Sequence, residues 1–93
     1  YIVFRVNEDE AELFRIATDK KYRGLGCGHK LMNFMISNLR VMKVKKVFLE
    51  VRCQNKDAIS LYEHYGFKKI GIRKEYYSDP TDDALLMEGY IKC

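Results

Sequence analysis

Arg23-Gly24-Leu25-Gly26-Cys27-Gly28 is the stretch on which the reading of this chain turns. Its glycines separate two segments of different hydrophobic period. Before it, Ala11 to Thr18 reads as a strand, with Leu13, Arg15 and Ala17 on one face and Phe14 and Ile16 on the other. After it, from His29 to about Met42, Leu31, Met35, Leu39 and Met42, flanked by Met32, Phe34 and Ile36, recur at helical spacing. A strand thus runs into a glycine loop that opens an amphipathic helix. Free N–H groups at a helix start, with the positive end of the helix dipole behind them, form a site for phosphate. Glycine lets the backbone approach a pyrophosphate without Cβ obstruction. The same six residues also read as a tight strand-to-helix turn that binds nothing, and the segment alone does not separate the two. A Rossmann GxGxxG beginning at Gly24 would require glycine at His29, and a P-loop would require Gly-Lys followed by Ser or Thr; neither is present.

Outward from the loop, Tyr1 to Val6 reads as a strand that forms a hairpin with the Ala11–Thr18 strand through the polar turn Asn7-Glu8-Asp9-Glu10. Lys45 to Arg52, with its apolar run around Val47-Phe48-Leu49, reads as a buried strand. Asn55 is a good helix N-cap. After it, Ala58, Leu61, Tyr62 and Tyr65 fall on one face of a short helix. Gly66 stands where a left-handed C-cap would end that helix, and Phe67 can fold back over its last turn. Lys68 to Tyr77 reads as a strand with Ile70 and Ile72 inward; Asp79-Pro80-Thr81-Asp82 is a turn, and Ala84 to Ile91 a final strand. The order β-β-α-β-α-β-β describes an α/β fold, a mixed sheet with flanking helices and at least one parallel pair.

Ninety-three residues make one domain, residues 1–93. A chain of this size buries only about 60–65% of its unfolded surface, so modest stability is expected. Hydrophobic residues make up 47% and charged residues 32%, which excludes a disordered chain. Nothing approaches the roughly 18 consecutive apolar residues of a membrane span. The opening Tyr1-Ile2-Val3-Phe4 has no basic leader and no cleavage site, so no signal peptide is expected; a start at Tyr rather than Met suggests a piece of a longer chain. Cys27, Cys53 and Cys93 are an odd count without a CxxC pair, which points away from disulfides and zinc and toward a reducing, cytoplasmic setting. The net charge of +4 suits a polyanionic ligand such as a nucleotide cofactor, and equally a weak contact with RNA.

Four further positions carry candidate chemistry. Glu50 lies inside an apolar strand, where desolvation would move a carboxyl toward the working range of a general base. The bland reading is an outward Glu paired with Lys46 or Arg52. Asn55 and Tyr62 read either as an N-cap and a core tyrosine, or as a cofactor ligand and an acid that turns its hydroxyl into a cleft. His29 stands at the helix start, within reach of a phosphate or simply solvated; His64 reads as surface. No third ligand accompanies the histidines, so no metal site is expected.

Together these residues resemble the GNAT family of N-acetyltransferases, and within it the ribosomal-protein-alanine and other protein N-terminal acetyltransferases. The family's Arg/Gln-x-x-Gly-x-Gly/Ala motif is present as Arg23, Gly26 and Gly28, preceded by Ile16-Ala17-Thr18-Asp19. The block from Leu49 to Phe67 follows the family pattern throughout, and Arg73-Lys74-Glu75-Tyr76-Tyr77 with Asp82 to Met87 is typical of the N-terminal acetyltransferase branch.

The resemblance implies a use for each part. The edge of the Ile16, Ala17, Thr18 strand would pair with the pantetheine arm of acetyl-CoA. Amides of Gly24, Leu25, Gly26, Cys27, Gly28 and His29, following Arg23, would cradle the pyrophosphate, and Asn55 would hydrogen-bond the arm. Glu50, through water, would take a proton from the amine, and Tyr62 would protonate the departing thiolate. Transfer would be direct, in a ternary complex, and Tyr76 and Tyr77 would flank the N-terminus of the acceptor protein. The family has a strand and two helices before the position where this chain begins, and those helices form one wall of the acceptor site. On that reading the cofactor half is whole and the acceptor half is not, and Tyr1–Val6 becomes an exposed edge open to homodimer formation. The competing readings are a non-catalytic CoA-binding remnant and a small basic RNA- or ribosome-binding module using Lys20, Lys21, Lys43, Lys45 and Lys46. For the second, only Tyr22 stands close to the Lys20-Lys21 pair and Lys43–Lys46 has no aromatic, short of the interleaving such modules use; no specific nucleic acid and no membrane are expected as partners.

Overall fold

The alternation expected of a half-covered strand is sharpest at Lys46–Arg52, where Val47, Leu49 and Val51 are buried and the residues between them only half-buried. The computed structural model of the chain describes residues 2–16 and 27–91. It contains β1 (Ile2–Asn7), β2 (Glu10–Ile16), α1 (Cys27–Val41), β3 (Lys46–Arg52), α2 (Lys56–His64), β4 (Lys68–Tyr77) and β5 (Asp82–Tyr90). The five strands form one sheet in the order β1-β2-β3-β5-β4. β1 and β2 are an antiparallel hairpin, β2 and β3 are parallel and joined through α1, and β5 returns antiparallel between β3 and β4. Element order and the parallel pair are those expected from the sequence.

One sheet face carries the core. Val47, Leu49 and Val51 of β3 stand opposite Gly89, Met87 and Leu85 of β5, and Ala11 and Leu13 of β2 opposite Val47 and Leu49. These residues pack with Met32, Met35 and Leu39 of α1 and with Ile59 and Tyr62 of α2. Burying a side chain of this size contributes about 1.5–3 kcal/mol, so a truncation such as Met35→Ala would cost about 2–5 kcal/mol.

The end of α2 follows from two residues. Gly66 takes φ +88°, its N–H donates to the Glu63 carbonyl at 3.0 Å and the Phe67 N–H to the Tyr62 carbonyl at 3.1 Å. This is the paired-bond left-handed cap for which glycine is preferred. It turns the Phe67 ring back to 6.0 Å from the Tyr62 ring. Gly89 makes room for that ring on the sheet: a Cβ there would lie 2.8 Å from Phe67 Cδ1.

Three side-chain expectations are corrected. Ile70 and Ile72 are not inward: they are 49% and 53% exposed. β4 is the sheet's outer strand, beyond the helices' cover, and its register shifts between Lys69 and Gly71. On α1 the buried stripe is Met32, Met35 and Leu39, while Phe34 is exposed and Met42 lies past the helix end and is exposed too. On α2 the buried pair is Ile59 and Tyr62, with Ala58, Leu61 and Tyr65 only packed against its margin.

Candidate active site

Two strands that start as neighbours stop pairing halfway along. β2 and β3 are joined from Glu10↔Lys46 to Leu13↔Leu49 and no further. Yet β2 continues to Ile16, held by β1 through Ile2↔Ile16, and β3 continues to Arg52, held by β5 through Arg52↔Ala84. Beyond Leu13 and Leu49 the sheet is therefore split at the carboxyl ends of its parallel strands, where open α/β sheets place their ligands. Among the described residues, backbone N–H and C=O groups on the facing edges lack ladder partners across the split and suit an extended, hydrogen-bonding ligand arm. α1 begins at Cys27 beyond the end of β2, so a helix N-terminus stands at the same end of the sheet. Of the residues expected to hold a cofactor, Ala17, Thr18, Arg23, Gly24, Leu25 and Gly26 lie outside the described residues. The backbone of Ile16 is the end of β2. Cys27, Gly28 and His29 form the first turn of α1, where Gly28 faces Leu61 of α2.

On the sheet face away from the helices lies a cavity of about 590 Å³. Glu12 from β2, Phe48 and Glu50 from β3, and Arg73, Tyr76 and Tyr77 from β4 line it. Glu50 is neither stranded in apolar surroundings nor paired with Lys46 or Arg52. Its Oε1 lies 3.6 Å from Arg73 Nε, with about a third of its side chain exposed. Lys46 pairs instead with Glu88 at 3.8 Å. Arg52 donates from Nη1 to the Pro80 carbonyl at 2.7 Å and from Nη2 to the Ser78 carbonyl at 3.1 Å. Its guanidinium also lies 4.5 Å from the centre of the Tyr77 ring.

The corner that presents the two tyrosines is tied down by carboxylates. Asp82 Oδ2 accepts from the Gln54 N–H at 3.1 Å, and Asp83 Oδ1 accepts from the Glu75 N–H at 2.8 Å. That bond, with Lys74 adding to it, holds the Asp83 carboxyl below its ordinary range. Glu75 itself has φ +50°, within a register shift between Arg73 and Tyr77. The irregularity re-aims the strand, and Tyr76 and Tyr77 meet nearly perpendicular with ring centres 5.2 Å apart.

Tyr62 does not line this cavity; it belongs to the helix-side core and is 6% exposed. Burial, aided by the nearby Tyr77, pushes its hydroxyl up to about 12. The Tyr77 hydroxyl is raised too, first by burial and then by the negative charge of Glu50, with Arg52 opposing. Tyr77 is thus electrostatically close to both Glu50 and Tyr62. Asn55 caps α2: its Oδ1 accepts from the Ala58 N–H at 3.2 Å, which leaves the Nδ2 donors for another partner. His29 is tied to α2 rather than simply solvated. The Tyr65 hydroxyl donates to its carbonyl at 3.1 Å and lies 3.2 Å from its Nδ1, and the His64 ring stands edge-on at 4.9 Å. His64 is exposed, as expected.

The structure therefore brings Glu50, Tyr76 and Tyr77 together and keeps Tyr62 one layer behind them. Arg73 and Arg52 were not singled out as site residues in the sequence, where each is one basic residue among 17. A cation two residues after Glu50 on the same face, and another three before Tyr76, were the available signals. Among the described residues no group of three or more His, Cys, Asp or Glu could hold a metal ion. Among the same residues no helix is long and apolar enough to cross a membrane.

A strand-to-helix crossover beside a split parallel pair, with a carboxylate at the mouth of the split, is an arrangement this chain shares with a known class of enzymes. The acetyltransferase (GNAT) family profile matches residues 1–67, and the chain belongs to that family. It is 40% identical over 89 residues to the [ribosomal protein bS18]-alanine N-acetyltransferase of Escherichia coli strain K12, covering 94% of this chain and 60% of that protein. It superposes on the crystal structure of the Escherichia coli ribosomal-protein-S18-alanine N-acetyltransferase with a TM-score of 0.91 at 39% identity, covering 99% of this chain and 61% of that one. Ard1 from Thermoplasma volcanium gives the same TM-score at 33% identity, with 99% and 62% covered. The chain thus spans about 60% of the length of these relatives.

Proposed function

We propose that the protein is an acetyl-CoA-dependent N-acetyltransferase acting on the N-terminal α-amino group of a protein, with ribosomal proteins as the acceptor class. The observation that carries this reading is the split between β2 and β3, which opens beside Glu50. The split suits the extended arm of acetyl-CoA, whose thioester supplies the acetyl group. The edge at Ile16, continuing to Ala17 and Thr18, would bind that arm, and the Asn55 Nδ2 donors would hold it from the other side. Arg23, the Gly24–Gly28 amides and His29 at the start of α1 would grip the phosphates. Glu50 would accept the amine's proton, directly or through water, because only the neutral amine attacks a carbonyl. Tyr76 and Tyr77 would flank the acceptor.

The Tyr62 hydroxyl, at about 12, is fully protonated at neutral pH. A thiol of the cysteine type titrates near 8.5, so complete transfer of the tyrosine's proton to a thiolate is uphill by about 5 kcal/mol. From its place in the core Tyr62 would act as a hydrogen-bond donor to the sulfur as charge develops there, with the proton following from solvent.

Relatives that modify a ribosomal protein support a cytoplasmic setting. The position of β1 at the sheet edge supports strand pairing between two copies, which sedimentation measurements would test. The decisive experiment incubates the protein with acetyl-CoA and an Ala-initiated peptide, following peptide mass and thiol release. Transfer to the α-amine that Glu50→Gln abolishes is expected. Binding of CoA without any transfer would reduce the protein to a cofactor-binding remnant.

A further inference from the structure

Arg73 reaches Glu50 from across the sheet. Its strand partner in β5 is Ala84, whose partner in β3 is Arg52, which shares a face with Glu50. The intervening residue is only a methyl group and is wholly covered, so a long side chain can lie flat over β5. The guanidinium sits 5.5 Å from the Tyr76 ring centre. Its 3.6 Å approach to Glu50 is an ion pair too long to be a hydrogen bond. Arginine carries five N–H donors in a rigid fork, and here that fork, with more than half of its side chain exposed, lines the cavity with its ion pair to Glu50 and no hydrogen bond among the described residues. The other carboxylate of the cavity, Glu12, is engaged by Arg5 at 3.2 Å.

We infer that Arg73 is the specificity-determining residue that makes the site select an α-amine over a lysine side-chain amine, by donating to the first carbonyl of the acceptor. The inference rests on the reading of this cavity as the acceptor site. An amine that reaches Glu50 must carry its next atoms past Arg73. A peptide N-terminus brings a carbonyl oxygen roughly 3 Å from its nitrogen, as standard backbone dimensions require. Glu50 and Arg73 stand 3.6 Å apart, close enough for the amine to lie against the one and the carbonyl against the other. A lysine brings only methylenes at that distance, and would leave the fork covered and unpartnered. Sites built to hydrogen-bond a polar group discriminate strongly against ligands that lack it.

The test compares two peptides of equal length, one with a free N-terminal Ala and no lysine, the other N-terminally blocked with a single lysine. The wild-type protein is expected to favour the first in kcat/KM by about a hundredfold or more. Arg73→Met is expected to lower that preference about tenfold or more, through the KM of the Ala peptide; the loss of the cation beside Glu50 acts on both peptides alike and leaves the ratio to report the lost hydrogen bond. Arg73→Lys should fall between them, since a point charge replaces the fork. Acetyl-CoA affinity, measured by calorimetry on each variant, should be unchanged and certifies the fold. Equal losses on both peptides, leaving the preference intact, would overturn the inference while the acceptor-site reading stands. If the wild-type protein acetylates neither peptide, the acceptor-site reading itself falls and takes the inference with it.

Discussion

Replacing Tyr62 by phenylalanine removes one hydroxyl from the helix-side core, and with it a titration that the folded state suppresses. A tyrosine in an unfolded chain titrates near 10, whereas burial and the neighbouring Tyr77 hold Tyr62 at about 12. Between these values the unfolded state has lost a proton that the native state still holds. The unfolded state therefore binds fewer protons, and stability must fall as pH rises. The contribution is complete below about pH 10. At pH 11 it has dropped by about 1.4 kcal/mol, and above about pH 12 by about 2.7 kcal/mol, at 1.36 kcal/mol per unit. Tyr62→Phe lacks this dependence, and the exposed tyrosines and lysines common to both proteins cancel in the difference. Urea unfolding followed by circular dichroism at pH 8, 9, 10 and 11 reads it directly. With a slope of roughly 1–1.5 kcal/mol per molar urea, the wild-type midpoint should fall about 1 M further than that of the variant between pH 8 and pH 11. Parallel declines would mean that Tyr62 titrates like a solvated phenol, and the burial of its hydroxyl in the native state would be refuted.

Three further outcomes are expected. Gly89→Ala places a Cβ within 3 Å of the Phe67 ring and should destabilise the protein by about 1–3 kcal/mol, seen as a lower Tm that Phe67→Leu partly restores. Asn55→Ala should cost about 1 kcal/mol from the lost cap of α2. Asn55→Asp keeps the capping oxygen but loses the amide donors, so its stability should match the wild type within a few tenths of a kcal/mol while acetyl-CoA affinity drops. Arg52→Ala removes two hydrogen bonds to the Ser78 and Pro80 carbonyls and the surface under Tyr77. It should raise the KM of the acceptor peptide with little change in acetyl-CoA affinity.

Features written into adjacent residues were the ones legible in the sequence. Asn55 as a cap, Gly66 as a left-handed stop and Phe67 folding back are local, and each stands in the structure as expected. The order of elements followed from changes of hydrophobic period. The partner of Glu50 was not legible, because Arg73 lies 23 positions away. It comes near only because β5, later in sequence than β4, pairs with both β3 and β4 and lets Arg73 reach across Ala84. The same insertion leaves β4 at the edge, and alternation alone cannot tell an edge strand from a central one; hence Ile70 and Ile72 read as inward and are half exposed. Tyr62 stands in the structure on its core reading, buried beside Phe67 on the helix side of the sheet. The loop from Arg23 to Gly26, the strongest local signal for phosphate, falls outside the described residues.

The sequence of that loop and the split between β2 and β3 point to one thing, that this chain grips acetyl-CoA. Isothermal titration of the protein with acetyl-CoA tests it most directly. One saturable site per chain is expected, retained in Glu50→Gln, weakened in Asn55→Asp, and weakened when the anion grip is removed by Arg23→Ala. The absence of any binding heat up to millimolar acetyl-CoA in a folded sample would contradict the account.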